Sequence, residues 1–181
     1  MKTYLFTFFA FFSILIGFAQ DSTNVTKKSF DFGVRTGYNN YFIQSPGPNP
    51  NGSGYYAGLF IETSLSEKLA LQVETNFNYS GSSILQLPVL LKYRINEKFE
   101  LYAGPQLDFS FEQNNLNSES RNKRWGASLI LGAQYNIDKH WFIDARYVHG
   151  LADQFPIFQG FGVDPLYSKI RTFNLGLGFK F

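Results

Sequence analysis

The strongest constraint on this chain is alternation. After Gln20, apolar side chains recur at every second position, and the pattern runs to the last residue in Leu175-Gly-Leu-Gly-Phe-Lys-Phe181. A period of two belongs to a strand whose two faces meet different surroundings. No segment after Gln20 carries helical periodicity of useful length. Eight alternating runs are expected, near 29–41, 54–65, 68–80, 83–95, 98–112, 123–137, 140–151 and 168–181.

The connections between these runs alternate in kind. Ser66-Glu67, Asn96-Glu97 and Asp138-Lys139 read as tight polar turns in a shared frame: Leu65-Ser-Glu-Lys-Leu69, Ile95-Asn-Glu-Lys-Phe99 and Ile137-Asp-Lys-His-Trp141. This is a weak internal repeat of a hairpin unit. The other connections include 41–53 with Pro46, Pro48 and Pro50, a short one at 80–83, an Asn- and Ser-rich one at 113–122, and the longest, 152–167. An even number of strands, with short turns on one side and long loops on the other, is the layout of an up-and-down antiparallel transmembrane β-barrel. Both termini then fall on the short-turn, periplasmic side.

One phase of the strands carries Phe32, Val34, Leu59, Ile61, Val73, Leu91, Leu107, Leu129, Leu131, Ile143, Leu175 and Leu177, with almost no charge. The opposite phase carries Arg35, Glu62, Glu74, Lys92, Arg94, Asp108, Asp144 and Arg146, together with Asp31, Lys180, several Gln and Asn, and many glycines. A soluble lipocalin-type carrier has the same alternation with the apolar face inside. Tyr and Trp near strand ends, where an interfacial girdle would sit, and the aromatic terminus favour a lipid-facing apolar surface. Aromatics form 19% of the chain, with 21 Phe and 11 Tyr, in keeping with that surface.

The N-terminus reads as a secretory signal over residues 1–19. Lys2 is followed by an apolar run from Tyr4 to Ala19, with small residues at Gly17 and Ala19 and polar sequence from Gln20. The run is short of the roughly 20 residues that a membrane helix needs. Residues 20–28 would be a polar periplasmic lead-in and 29–181 the barrel domain. The chain has no cysteine, which excludes disulfides, a thiolate metal site and a lipidated N-terminal Cys. Its formal net charge of +2 gives no reason to expect nucleic acid.

These segments resemble a known family. Leu85-Gln-Leu-Pro-Val-Leu-Leu-Lys-Tyr-Arg94, Leu101-Tyr-Ala-Gly-Pro-Gln-Leu-Asp-Phe109, Asp144-Ala-Arg-Tyr-Val-His-Gly-Leu151 and the closing strand 173–181 are similar to the outer-membrane β-barrel domain proteins common in Bacteroidetes, among them the PorT-like and OmpX-like small barrels. The resemblance implies an all-β, eight-stranded barrel in the outer membrane of a Gram-negative bacterium. Phe181 looks like the insertion signal of such proteins, addressed to the barrel-insertion machinery. The first reading of function is a structural or surface-interaction role without catalysis; some relatives take part in type IX secretion or gliding, which makes a membrane-anchored component of such an assembly the second.

Chemistry is sparse. The ten inward charges, five of each sign, read as a structural polar filling of a barrel too narrow for a channel, because a selective pore would carry an excess of one sign. His140 and His149 stand at opposite ends of one strand, roughly 25–30 Å apart at about 3.3 Å per residue, and cannot share a metal. No catalytic residue, cofactor or metal ligand is expected. Loop 152–167 carries Phe155, Phe158, Phe161 and Tyr167, and would either close over the barrel mouth or contact a partner. The expected partners are outer-membrane lipid, the insertion machinery and an extracellular or envelope protein. Pro88 and Pro105 lie inside expected strands, where proline cannot donate to the ladder. A bulge or a local break in pairing is expected at each.

Overall fold

The computed structural model describes residues 30–43, 51–80, 83–111, 125–152, 155–157 and 166–181, with backbone alone for 155–157 and 166–168. The signal segment 1–19, the lead-in 20–28, the Pro46–Pro50 segment and the side chains of Phe155, Phe158, Phe161 and Tyr167 lie outside the described residues and atoms.

Ten strands form. They are β1 (Phe30–Ile43), β2 (Asn51–Ser64), β3 (Leu69–Tyr79), β4 (Ser83–Arg94), β5 (Phe99–Ser110), β6 (Trp125–Asn136), β7 (Trp141–Gly150), β8 (Phe155–Ile157), β9 (Leu166–Ser168) and β10 (Ile170–Lys180). Eight of them close an antiparallel barrel in the order β1-β10-β7-β6-β5-β4-β3-β2. Closure is made by the C-terminal strand, which pairs with β1 from Gly33↔Lys180 to Ile43↔Ile170. Closure leaves no strand edge, so every barrel strand has ladder partners on both sides. The long connection expected at 152–167 contains a small second sheet, with Phe155 opposite Ser168 and Ile157 opposite Leu166. Period-two reading misses strands of three residues because so short a run holds barely more than one repeat of the pattern.

The prolines cut the ladder without adding a residue. β3 and β4 pair at Val73↔Val89 and again at Asn76↔Gln86, skipping Glu74–Thr75 against Leu87–Pro88. β4 and β5 pair at Pro88↔Gln106 and again at Leu91↔Ala103, skipping the stretch that holds Pro105 and Gly104. Register is identical on either side of each gap, so the structure shows local breaks and no bulge. Pro105 stays paired toward β6, opposite Leu129. A missing N–H removes a hydrogen bond on one side only, and the neighbouring bonds hold the register.

The three repeated turns share one geometry. Leu65 N donates to Leu69 O at 2.8 Å, Ile95 N to Phe99 O at 2.9 Å and Ile137 N to Trp141 O at 2.9 Å. A side-chain oxygen completes each: Ser66 Oγ accepts from Leu69 N, Asn96 Oδ1 from Lys98 N and Phe99 N, and Asp138 Oδ1 from His140 N and Trp141 N. The bends cover four residues, 65–68, 95–98 and 137–140, where two were expected. The extra length comes from that side-chain closure, which replaces ladder bonds at the strand ends.

The outward face is apolar. Leu59 is 64% exposed, Leu131 64% and Leu175 61%, values that only a lipid solvent makes favourable over a whole surface. Rings gather near both ends of the strands: Phe109 against Trp125 at the long-loop end, and Phe99 against Tyr135 and Trp141 against Phe179 at the turn end, each pair with centroids 4.9 Å apart. The interior is not wholly polar. Tyr56, Phe60, Tyr102 and Phe142 point inward, and Leu90, Tyr102, Ile130 and Val148 form a small apolar cluster. Glycines make room for these rings. A Cβ on Gly178 would fall on the ring of Phe142, and one on Gly132 on the ring of Tyr102.

Candidate functional site

Among the described residues, the buried interior charges form two ion-paired layers and one carboxylate outside them. Each side chain is placed by strand alternation and by its height in the barrel.

The central layer holds Arg35 on β1, Glu74 on β3, and Asp144 and Arg146 on β7. Arg35 donates to Glu74 Oε1 at 2.9 Å, to Asp144 Oδ1 at 2.7 Å and to Tyr56 Oη at 3.0 Å. Arg146 donates to both oxygens of Glu74, at 3.0 and 3.2 Å, and through Nε to Asp144 Oδ2 at 3.0 Å. Tyr102 Oη donates to Asp144 Oδ2 at 2.6 Å, and Gln72 and Asn76 donate to Glu74 at 2.6 and 2.7 Å. β3 stands diametrically opposite β7 in the strand order, so the Arg146–Glu74 pair spans the full width of the barrel. The two guanidiniums also lie over Tyr56 and Tyr102, at 5.3 and 5.1 Å from the ring centroids. Two cations and two carboxylates share these bonds, which is how buried charge is tolerated.

The layer nearer the turns is built on Glu62. Lys92 reaches it at 2.8 Å, and Arg94 and Lys180 each at 3.3 Å. Lys92 also bonds Glu100 at 2.6 Å and Gln134 Oε1 at 3.0 Å. Asp31 stands opposite Glu62 in the β1–β2 register and is half-buried. The Arg94 side chain is 28% exposed, so this layer meets solvent on its turn side. Glu100 is 4% exposed and was not among the expected interior charges. It stands in phase with Gln106 and Asp108, and the alternation that marked those two would have marked it.

Asp108 lies nearer the long-loop end and has no ion-pair partner among the described residues. Its carboxylate accepts from Gln106 at 2.7 Å, Ser128 at 2.8 Å and Gln86 at 3.2 Å.

The histidines are placed apart. His140 lies in the turn 137–140, stacked on Phe179 with its Nδ1 3.0 Å from Lys180 O, and His149 lies on β7 with its Nδ1 3.3 Å from Tyr147 Oη. Among the described residues no group of three or more His, Cys, Asp or Glu could hold a metal ion. Phe181 is the last residue, its N–H bonded to Phe32 O at 2.9 Å, its ring edge-on to Phe179 and the residue 73% exposed.

A closed eight-stranded barrel, apolar outside and ion-paired within, defines a small transmembrane β-barrel of the outer-membrane type. The chain belongs to the outer membrane protein beta-barrel domain family, whose sequence profile matches residues 8–181. Its fold is similar to that of Ail, the attachment invasion locus protein of Yersinia pestis, solved with the heparin analogue sucrose octasulfate, at 18% identity, covering 84% of this chain and 99% of that one, with TM-score 0.53. It is also similar to the N-terminal β-barrel domain of Pseudomonas aeruginosa OprF, at 14% identity, 83% and 97% coverage and TM-score 0.50. Neisserial surface protein A matches at 13% identity, with the same coverage and the same score. These likenesses concern the fold. The sequence matches no curated protein.

Proposed function

We propose that this chain is a non-enzymatic outer-membrane protein, delivered by a cleaved signal over residues 1–19, whose closed polar lumen braces the barrel and whose long loops make its external contacts. The observation that carries this reading is the central layer. Arg35, Glu74, Asp144 and Arg146 tie opposite walls through buried ion pairs, an arrangement suited to rigidity and poorly suited to conduction. A soluble small-ligand carrier would need the reverse arrangement, with its apolar face inside.

The contact surface then falls to the loops, above all 152–167 with Phe155, Phe158, Phe161 and Tyr167. That Ail, a barrel of similar fold, has been solved with a sulfated ligand supports external binding as a use of this architecture. Planar-bilayer recording of the purified full chain tests the closed lumen, and the expected result is no steady single-channel current. Crosslinked pulldown from intact cells tests the loops. Wild type should capture an envelope or extracellular partner that a Phe155→Ser, Phe158→Ser, Phe161→Ser variant of equal thermal stability does not. Secretion or motility components in that pulldown would favour the PorT-like assembly role, and loss of stability in the variant would make the loop a lid.

A further inference from the structure

Among the described residues, the lumen holds one buried carboxylate that the ion-paired layers do not account for. Lys92, Arg94 and Lys180 are bonded to Glu62 or Glu100, and Arg35 and Arg146 are bonded to Glu74 and Asp144. Asp108 is 5% exposed and forms no ion pair with any of them. Gln86, Gln106 and Ser128 are arranged as donors to its two oxygens, the pattern that suits an ionised carboxylate. A buried charge without a counter-charge costs several kcal/mol in general, and folded proteins rarely leave one so.

A second observation lies beside it. Asp108, Ser128, Gln86 and Gln106 line a small cavity together with Asn39 and Asn78, and its volume is about 20 Å³. Asn39 is fully buried and Asn78 is 5% exposed. Both polar atoms of the Asn39 side chain, and Oδ1 of Asn78, meet no hydrogen-bond partner among the described residues. The cavity therefore gathers one negative charge and unengaged amide groups around a space the size of one water molecule or one bare ion.

We propose that this cavity binds a single monovalent alkali cation, with Asp108 as the charged ligand and Asn39, Asn78 and Ser128 as neutral oxygen ligands. The donors are all hard oxygens, which select alkali and alkaline-earth ions over transition metals. One carboxylate balances one positive charge, whereas a divalent ion would leave a net charge buried in the lumen. The site lies on the loop side of the central layer, so ions would reach it from outside the cell, and occupancy would couple the stability of the outer half of the barrel to external sodium or potassium.

The test is thermal unfolding of the full chain, folded in non-ionic detergent and followed by circular dichroism. Ionic strength is held constant while sodium replaces choline, a cation too large for the cavity. Wild type should gain roughly 5–10 °C in midpoint between trace sodium and about a hundred times the half-saturating concentration. Asp108→Asn should remove the sodium response. Asn39→Ala breaks no hydrogen bond within the described structure. It should fold and shift half-saturation to severalfold higher sodium, which keeps the test valid if Asp108→Asn does not fold. A midpoint unaffected by sodium, an equal rise in choline, or a sodium response unchanged in Asn39→Ala would overturn the proposal and leave the cavity to water.

Discussion

At the residue scale, burial decides what each charge contributes. Arg35 has no exposed side-chain surface and three acidic or phenolic partners, so Arg35→Ala leaves Glu74 and Asp144 buried with less compensation. Such broken buried pairs cost about 3–5 kcal/mol. Arg94 reaches Glu62 at 3.3 Å from a side chain still 28% exposed, so Arg94→Ala should cost about 1 kcal/mol or less. Urea titration of the two variants in detergent measures the difference, and equal costs would mean that the central layer does not brace the barrel. Most of these residues could be read from phase alone. Their pairing could not, because Arg35 and Asp144 are 109 residues apart and meet only when the barrel closes.

At the scale of the element, turns and faces carry the predictions. Asp138 closes its turn by accepting two backbone N–H bonds, which hold its carboxyl below the usual aspartate range. A carboxylate whose folded-state value is depressed adds stability above its unfolded value, near 3.9, and that stability is lost as pH falls through the lower, folded value. The Asp138 carboxyl signal in a ¹³C titration should therefore move at lower pH than that of a free aspartate, and Asp138→Asn should remove that segment of the stability-versus-pH curve. On the strand faces, Leu175 is 61% exposed at the middle of β10 and Gln72 is 2% exposed inside the barrel. An arginine at a lipid-facing midplane site costs about 2–4 kcal/mol, so Leu175→Arg should destabilise in folding titrations more than Gln72→Arg, which lands beside Glu74. The reverse ranking would mean that the apolar face does not meet lipid.

At the scale of the whole molecule, the last strand closes the barrel, and its end is also the proposed insertion signal. Phe181 bonds β1 through its backbone and leaves its ring exposed at the turn end. Deleting Phe181 should lower the outer-membrane yield of the protein in cells while barrel refolded in detergent keeps most of its stability, since one ladder-end bond is lost. Normal yield from the truncated chain, measured by fractionation, would reject the terminal aromatic as a signal.

The sequence alone determined the strand count of the barrel, the two faces, the turn positions and the side of the termini. Each of these follows from a local rule: alternation from the pleat, turns from Ser, Asn and Asp chemistry, and face polarity from the solvent each side meets. The proline positions were legible too, but whether they inserted a residue was not, because that depends on bonds the flanking strands supply. The folded barrel was needed to show which charges pair, that Glu100 joins Lys92, that Gly178 and Gly132 stand beside Phe142 and Tyr102 on the neighbouring strands, and that Asp108 has no ion-pair partner among the described residues. Some of these contacts join neighbouring strands, as Lys92–Glu100 does, and others cross the lumen, as Arg146–Glu74 does. Their partners are chosen by barrel radius and strand stagger, and no local pattern encodes either quantity.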